Sequence, residues 1–202
     1  MPRLAGQIDV TKNEAILDAA MQVMAERGVS VSMDEIARRA GVSKQTIYNH
    51  YGSKAELVRT MAERRVHEMT APLEGPDAAA NPEEALAGFA RVLLDAALKR
   101  RGAGLYRTVI LHAPEMPDVA RAMWEAGPRS SRAKLAQFLA LETKAGRLCC
   151  PNPAEAAEFF GGMVIGSYQT AMLLGVEIDL DEDRIERIAR EAAFRFIRAY
   201  AL

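Results

Sequence analysis

Apolar residues recur along most of the chain at the spacing of one face of a helix. Ile16, Ala19, Ala20, Val23 and Met24 form one such stripe. A second stripe near the C-terminus consists of Ile185, Ile188, Ala189, Ala192, Phe196 and Ile197. No segment shows the convincing alternation of a half-buried strand. The pattern therefore predicts an all-α protein with helices over about 11–27, 33–40, 44–50, 54–73, 82–100, 103–112, 117–126, 128–146, 153–175 and 182–200.

Polar residues mark where several of these helices begin. Two signals are present: a Ser or Thr followed three residues later by Glu, and an Asn-Pro pair followed by Glu. They predict helix starts at Thr11, Ser32, Ser53, Asn81 and Asn152. Gly28 and Gly41 are expected to end the first two helices. Residues 71–82 are predicted to be a loop or a frayed helix end, and 112–117 a break.

The predicted helices divide the chain into two domains. Residues 1–53 hold three short helices, too few to bury a large core, and residues 54–202 hold the rest. The smaller domain is thus a head on a larger body. The helix that begins at Lys54 is placed to carry movement from one to the other.

Charge and cysteine content limit where the protein works and what it binds. The 202 residues carry 26 Lys and Arg against 27 Asp and Glu, so a formal net charge of −1 gives no global attraction to nucleic acid or membrane. Any polyanion site must be local. The adjacent Cys149 and Cys150 exclude an ordinary loop-closing disulfide within the monomer and indicate a reducing compartment. The opening residues lack the apolar core of an export signal, so a cytoplasmic protein is expected.

Met33–Tyr51 has the pattern of a helix-turn-helix. Gly41 permits the left-handed turn between the two helices, Ala37 leaves room for their approach, and apolar residues such as Ile47 supply a shared core. Such a pair places the start of its second helix in the major groove of DNA.

The second helix carries residue types that suit DNA contact. Lys44 and Gln45 in its first turn match guanine and adenine edges, and Thr46 suits a phosphate or a thymine methyl group. Tyr48, His50 and Lys54 are expected to reach phosphates, together with helix N-termini, whereas Tyr51 is predicted to be a core ring. The predicted DNA-binding residues are Thr11, Lys12, Ser32, Ser43, Lys44, Gln45, Thr46, Tyr48, Asn49, His50 and Lys54.

Residues 43–57, SKQTIYNHYGSKAEL, resemble the signature of the TetR/AcrR family of bacterial regulators. Residues 16–20 and 33–41 match the flanking helices of that family, and the resemblance spans about 11–57. Tyr51 departs from the family pattern, which commonly has Phe there. The resemblance implies a dimeric, all-α, DNA-binding repressor released by a small ligand in the body. Residues 105–148 more weakly resemble the AefR-type C-terminal branch.

The small net charge of the head limits the non-specific DNA affinity that can be expected of it. Residues 1–54 carry seven basic and six acidic side chains, leaving only +1. Charge alone favours a plain packing motif, and the detail of the motif and the family resemblance favour DNA binding. If it binds DNA, its non-specific affinity should be modest, and its acidic residues should lie on faces turned away from the phosphates.

The body is expected to supply a homodimer surface through its last two helices. A two-fold dimer would read a near-palindromic site. The predicted interface residues are Phe159, Gly162, Met163, Gly166, Phe194 and Phe196. The alternative is that these residues fill only the monomer core. Residues 159–176 are uncharged, but their four glycines and polar side chains favour a helix buried on more than one face over a membrane span.

A pocket for a mostly apolar effector is predicted on the central helices. Taken singly, each of its residues is more typical of a plain core. The predicted lining is Phe89, Tyr106, His112, Met116, Met123, Trp124 and Tyr168. Neither a cofactor nor a metal is expected: Glu63 and His67 have helical spacing but no second ligand pair. Cys149 and Cys150 would sense oxidants only if a residue such as Arg147 activated one thiolate.

The sequence thus predicts a ligand-responsive transcriptional repressor, not an enzyme, whose partners are operator DNA, a small effector and a second copy of itself. An alternative is an enzyme or small-molecule carrier in which the head is a structural remnant. No catalytic set is visible in the sequence to support it. A third possibility keeps the DNA-binding head but makes the protein an activator or the target of a protein partner.

Overall fold

The computed structural model describes residues 10–98, 100–176, 178 and 180–202, and it contains no strand within them. The prediction of an all-α protein is confirmed. The helices are α1 (Val10–Arg27), α2 (Met33–Arg39), α3 (Lys44–Tyr51), α4 (Lys54–Thr70), α5 (Pro76–Ala80), α6 (Pro82–Leu98), α7 (Arg100–Leu111), α8 (Pro117–Trp124), α9 (Ser130–Lys144), α10 (Pro153–Ile165), α11 (Tyr168–Leu173) and α12 (Glu182–Ala199). A 3₁₀ turn, Ala71–Leu73, follows α4, and a π turn, Glu125–Arg129, precedes α9.

The described residues form two compact units. The first runs to Glu63 and also includes Arg100–Gly127; the second runs from Arg64 to the end of α6 and from Pro128 to Leu202. The first unit is larger than the predicted head because α7 packs along α1. That the two functional domains meet at residue 54 stays a prediction.

The first unit is built on the stripe that the sequence predicts for α1. Ile16 and Met24 are fully buried and share a core with Ile36 of α2 and Ile47 of α3. Val109 of α7 belongs to the same core. The three-helix head is thus extended by a central helix of the chain, which supplies the apolar surface that three short helices lack.

The second unit is organised around α6, which packs against α10 and α12. Phe160 of α10 lies between Phe89 and Phe196, with ring centroids 6.3 Å and 5.0 Å away, respectively. All three rings are buried, and such tilted or edge-on pairs add to the stabilisation from burial. This cluster joins the three helices of the core.

Most predicted caps and breaks are confirmed. The side chains of Ser32, Ser53, Asn81 and Asn152 each accept a hydrogen bond from the backbone N–H three residues later. The break at 112–117 is also present, because α7 ends at Leu111 and α8 begins at Pro117. Thr11 is an exception. Val10 already belongs to α1, so the helix begins before Thr11.

Several predicted helix limits differ from the structure. The helix expected over 153–175 ends at Gly166, whose φ of 49° leaves the helical region, and α11 begins two residues later. The helix expected over 54–73 ends at Thr70, and the segment that contains Pro72 tightens into a 3₁₀ turn. A short helix, α5, forms in the stretch expected to be a loop or a frayed helix end. None of the helices in the described residues combines the length and the apolar character needed for a membrane span.

Candidate nucleic-acid interface

The second helix of the helix-turn-helix presents a continuous polar face. Lys44, Gln45, Tyr48 and Asn49 are exposed along α3, at the spacing that places side chains on one side of a helix. Ile47, on the opposite side, is fully buried. The helix is therefore fixed by its apolar side and free to present its polar side to a groove.

The turn before α3 has the geometry that the sequence predicts. Gly41 adopts a φ of 68°, in the left-handed region that favours glycine. The Val42 N–H donates to the Ala37 carbonyl at 3.0 Å, which closes the turn. Ala37 is buried. These contacts hold α2 and α3 in a fixed relation.

Two serines predicted to contact DNA cap helices in this unit. Ser32 Oγ accepts from the Glu35 N–H at 3.2 Å, and Ser43 Oγ accepts from the Thr46 N–H at 3.1 Å. Ser43 Oγ also lies 2.8 Å from Thr46 Oγ1. Capping uses an acceptor site of the hydroxyl, and each serine has one O–H donor in addition. Both serines are exposed, so capping and phosphate contact are chemically compatible.

Both side chains predicted to read bases are held by a second side chain. Lys44 Nζ donates to Asp34 Oδ2 at 2.7 Å, and Gln45 Nε2 donates to Asn49 Oδ1 at 2.5 Å. The pKa of Lys44 is raised, first by this hydrogen bond and then by the charge of the Asp34 carboxylate. Asp34 therefore does not lie apart from the basic residues, contrary to the expectation that acidic residues face away from the interface.

The far end of α3 is tied to α1 through Asn13, which the sequence analysis does not identify. Asn13 Oδ1 accepts from the Tyr51 hydroxyl at 2.6 Å and lies 3.1 Å from Nε2 of His50. The His50 and Tyr51 rings meet edge to face at a centroid distance of 4.5 Å. Tyr51 is buried, as predicted, whereas His50 is exposed. Asn13 is 37 residues from His50 in sequence, so no local pattern signals the contact.

Lys54 is more enclosed than a simple phosphate-binding lysine. Its Nζ donates to the Val29 carbonyl at 2.9 Å. Burial lowers the pKa of Lys54, and the charge of Asp118 opposes that shift. Lys54 thus ties the start of α4 to the segment after α1. Lys12 is exposed on α1, and the Thr11 side chain lies outside the part of the chain that the structure describes.

Two family descriptions match this chain. Residues 16–61 match "Bacterial regulatory proteins, tetR family", and residues 84–202, more than half of the chain, match "AefR-like transcriptional repressor, C-terminal domain". The chain belongs to the TetR family. It is therefore a transcriptional regulator with an N-terminal helix-turn-helix and a helical C-terminal domain.

Individual relatives agree with this assignment. The HTH-type transcriptional regulator SrpR of Pseudomonas putida is 36% identical over 73 residues, which cover 36% of this chain and 32% of SrpR. The flavonoid-responsive regulator FrrA is 33% identical, with a TM-score of 0.69, over 96% of this chain and 98% of FrrA. A TetR transcriptional regulator from Agrobacterium tumefaciens shares the fold, with a TM-score of 0.75, 23% identity and 96% of each chain covered. The match covers 32% of SrpR, 45% of the regulator BetI of Rhizobium meliloti and 24% of the activator FasR of Mycolicibacterium smegmatis.

The predicted dimer residues of this TetR-family regulator separate into an exposed and a buried set. Phe159, Gly162 and Met163 share the exposed face of α10, and Phe194 is exposed on α12. Phe159 is 57% exposed, although the opposite face of α10 is buried in the unit. Phe196 is 1% exposed and packs on Phe160, so it supports α12 from inside the protomer and is unavailable to a partner. Gly166 is exposed at the end of α10.

The predicted pocket residues do not all lie in one unit. Tyr106, His112, Met116, Met123 and Trp124 belong to the first unit, and Phe89 and Tyr168 belong to the second. Met116 and Met123 pack against the first core, and Phe89 is 1% exposed within the second. His112 Nδ1 lies 2.9 Å from the Thr108 carbonyl, and Trp124 is 52% exposed. Their contact with an effector stays a prediction.

The surroundings of the two cysteines oppose the redox hypothesis. Arg147 donates from two nitrogens to the buried Glu142 carboxylate, at 2.5 Å and 2.8 Å, so its guanidinium is already engaged. Burial raises the pKa of the Cys150 thiol, which disfavours the reactive thiolate. Cys149 is exposed.

Proposed function

We propose that this TetR-family regulator is a cytoplasmic, ligand-responsive repressor. It binds a near-palindromic DNA operator as a homodimer and is released by a small, largely apolar effector. The observation that carries the proposal is the exposed polar face of α3, fixed from behind by Ile47. The family description of a repressor-type C-terminal domain supports the sign of regulation.

DNA reading by α3 is tested by selecting bound sequences from a random duplex pool with the purified full chain. The best site is then titrated with a Lys44→Ala/Gln45→Ala variant. Its matched control is Lys144→Ala/Gln137→Ala, which removes the same residue types from exposed positions on α9. We expect a near-palindrome whose binding requires Lys44 and Gln45 but not the α9 pair. Absence of any enriched sequence at low salt, after refolding to remove a copurified ligand, would refute the proposal.

The proposed dimer surface is the exposed apolar face of α10 together with Phe194. Beyond its own helix backbone, a methyl group at Gly162 would meet nothing in the protomer within 4 Å, so a larger side chain fits the protomer and obstructs only a neighbour. Gly162→Leu and Phe159→Ser should therefore give folded monomers. Leu141→Ser, at another exposed apolar position on α9, should leave the dimer intact. Sedimentation velocity distinguishes these outcomes, and dimeric Gly162→Leu would exclude this surface.

The effector is proposed to be an aromatic, largely apolar small molecule. FrrA is named as a flavonoid-responsive regulator, and the predicted lining includes methionines and aromatic rings. A panel of flavonoids and other planar aromatics should include a compound that raises the melting temperature and releases the operator. Tyr106→Ala or Met123→Ala should weaken this response and leave operator affinity without ligand unchanged. A response unaltered by every lining substitution would refute the predicted pocket.

Release is proposed to operate through α4. Lys54, the first residue of α4, donates a hydrogen bond to the Val29 carbonyl. Movement of α4 would therefore be transmitted to the segment between α1 and α2. Linkage requires the effect to be reciprocal: an effector that weakens operator binding by some factor must itself bind the operator complex more weakly by that factor. Transcripts of the target genes should rise when the regulator is deleted, and a fall would favour activation.

A further inference from the structure

A carboxylate lies beside the first residue of the recognition helix. Asp34 in the first turn of α2 has its Oδ2 2.7 Å from the Lys44 Nζ. Both side chains are open to solvent, with 47% of Asp34 and 66% of Lys44 exposed. DNA that contacts Lys44 must therefore approach the Asp34 carboxylate as well.

Lys44 is restrained on two sides. Its ammonium is bound by Asp34 and also lies 5.6 Å from the centroid of the Tyr48 ring, a favourable cation–π distance. A lysine ammonium has three N–H donors on a flexible stem. One donor to Asp34 leaves two for an acceptor pair such as guanine O6 and N7.

A nearby carboxylate has opposite effects on two kinds of complex. On a non-specific sequence, Lys44 would act as a mobile phosphate-binding cation, and Asp34 opposes this by cancelling its charge and repelling phosphates. On the specific sequence, the same contact reduces the conformational freedom that Lys44 must lose, so less entropy opposes the base contact. The net result is a larger ratio of specific to non-specific affinity.

We propose that Asp34 is a specificity-determining residue that acts through Lys44, orienting its ammonium to one base edge and withholding its charge from phosphates elsewhere. This inference rests on the proposed function of α3 in reading DNA. Asp34 is thus a positioning residue, and its effect should disappear when Lys44 is absent.

The neighbouring residue supplies a matched control. Glu35 lies in the same first turn of α2 and carries the same charge, but its carboxylate pairs with Arg27 instead. Asp34→Asn and Glu35→Gln therefore change the net charge and the interaction with the helix dipole equally. Only Asp34→Asn removes the carboxylate that pairs with Lys44.

The experiment compares the full-length wild type, Asp34→Asn, Asp34→Glu and Glu35→Gln on the selected operator, on each single-base variant of it and on a random duplex. Asp34→Asn should raise affinity for random duplex by about three- to tenfold at low salt. It should also steepen the slope of log K against log salt by about 0.9. Preference at one base pair should fall, and Asp34→Glu should largely restore it.

Two results would overturn the inference while leaving the proposed function intact. One is a loss of base preference in Glu35→Gln equal to that in Asp34→Asn. The other is an unchanged effect of Asp34→Asn on base preference in a Lys44→Ala background. If wild-type protein selects no sequence, the proposed function fails and this inference fails with it. Circular dichroism of each variant excludes misfolding as the cause.

Discussion

Gly88 is the position at which α6 touches the 3₁₀ turn that follows α4. A methyl group on Gly88 would lie 2.9 Å from Cβ and 3.3 Å from Cγ of Pro72. The proline ring is fixed to its own backbone, so the contact cannot be relieved by rotating a flexible side chain. Gly88→Ala must move either α6 or the turn.

Two effects of known size oppose each other in Gly88→Ala. Replacing a glycine inside a helix with alanine gains about 1 kcal/mol of helix propensity. Overpacking a well-packed core typically costs about 1–3 kcal/mol. The net expectation is a destabilisation of about 1 kcal/mol, which for a chain of this size lowers the melting temperature by roughly 2–4 °C.

Gly104→Ala in α7 provides the comparison. A methyl group there would lie 3.6 Å from the Ala25 carbonyl oxygen, an ordinary contact, so the propensity gain should prevail. Urea and thermal unfolding followed by circular dichroism, at one fixed protomer concentration because a dimer melts in a concentration-dependent way, should show opposite signs for the two variants. If Gly88→Ala stabilises the protein as much as Gly104→Ala, the 3₁₀ turn moves without an energetic cost and is not rigidly packed against α6.

Three further outcomes test other parts of the structure. The hydrogen bond from Arg91, with a smaller contribution from a second arginine, lowers the pKa of Glu186. The resulting stabilisation should be present above the unfolded value of about 4.3 and lost as the pH falls through the folded value. Urea unfolding of Glu186→Gln should show a deficit in unfolding free energy at pH 7 that shrinks as the pH falls through the lowered pKa of Glu186. A reagent that forms mixed disulfides with thiols should modify exposed Cys149 quickly and buried Cys150 slowly. The Cys149→Ser variant should retain only the slow phase. Phe160→Ala should lose about 3–5 kcal/mol of unfolding free energy because its ring is fully buried, and a loss below about 1 kcal/mol would contradict its place at the centre of the second core.

The parts of the fold that sequence predicts well are those set by near neighbours. The turn at Gly41 depends on one glycine conformation, and the capping of α3 depends on Ser43 and the N–H of Thr46 three residues later. The burial of Ile47 follows from helical spacing. Each of these features lies within a few residues of its cause, so a pattern in the chain is sufficient.

The end of α10 shows where local patterns fail. Gly161 and Gly162 stay helical, whereas Gly166 ends the helix with a positive φ. All three have the same intrinsic freedom, and the uncharged segment offers no polar cap that separates them. Gly161 is buried against Arg132, whose Nε would make an ordinary 3.7 Å contact with a methyl group there, whereas Gly166 is exposed. That contact comes from α9 and cannot be read from α10.

The contacts within the candidate DNA-binding site are also non-local. Lys44 and Asp34 are 10 residues apart, and His50 and Asn13 are 37 apart. Residue type and helical spacing identify Lys44 and His50 as candidates for DNA contact, but they do not show which side chain will hold each one. Such partners depend on how α1, α2 and α3 pack together.

The near-neutral charge of the head is accompanied by ion pairs between its basic and acidic side chains. Three basic side chains of the head form ion pairs within it: Lys44 with Asp34, Arg27 with Glu35, and Arg39 with Glu26. Since the salt dependence of binding reports the number of phosphates neutralised, cations already paired within the protein should contribute less to the slope than their number implies. A head that gains little from non-specific attraction must obtain its affinity from base contacts and from a second head on the same duplex. Near-neutral charge is therefore compatible with selective DNA binding if base contacts and the second head of the proposed dimer supply the affinity.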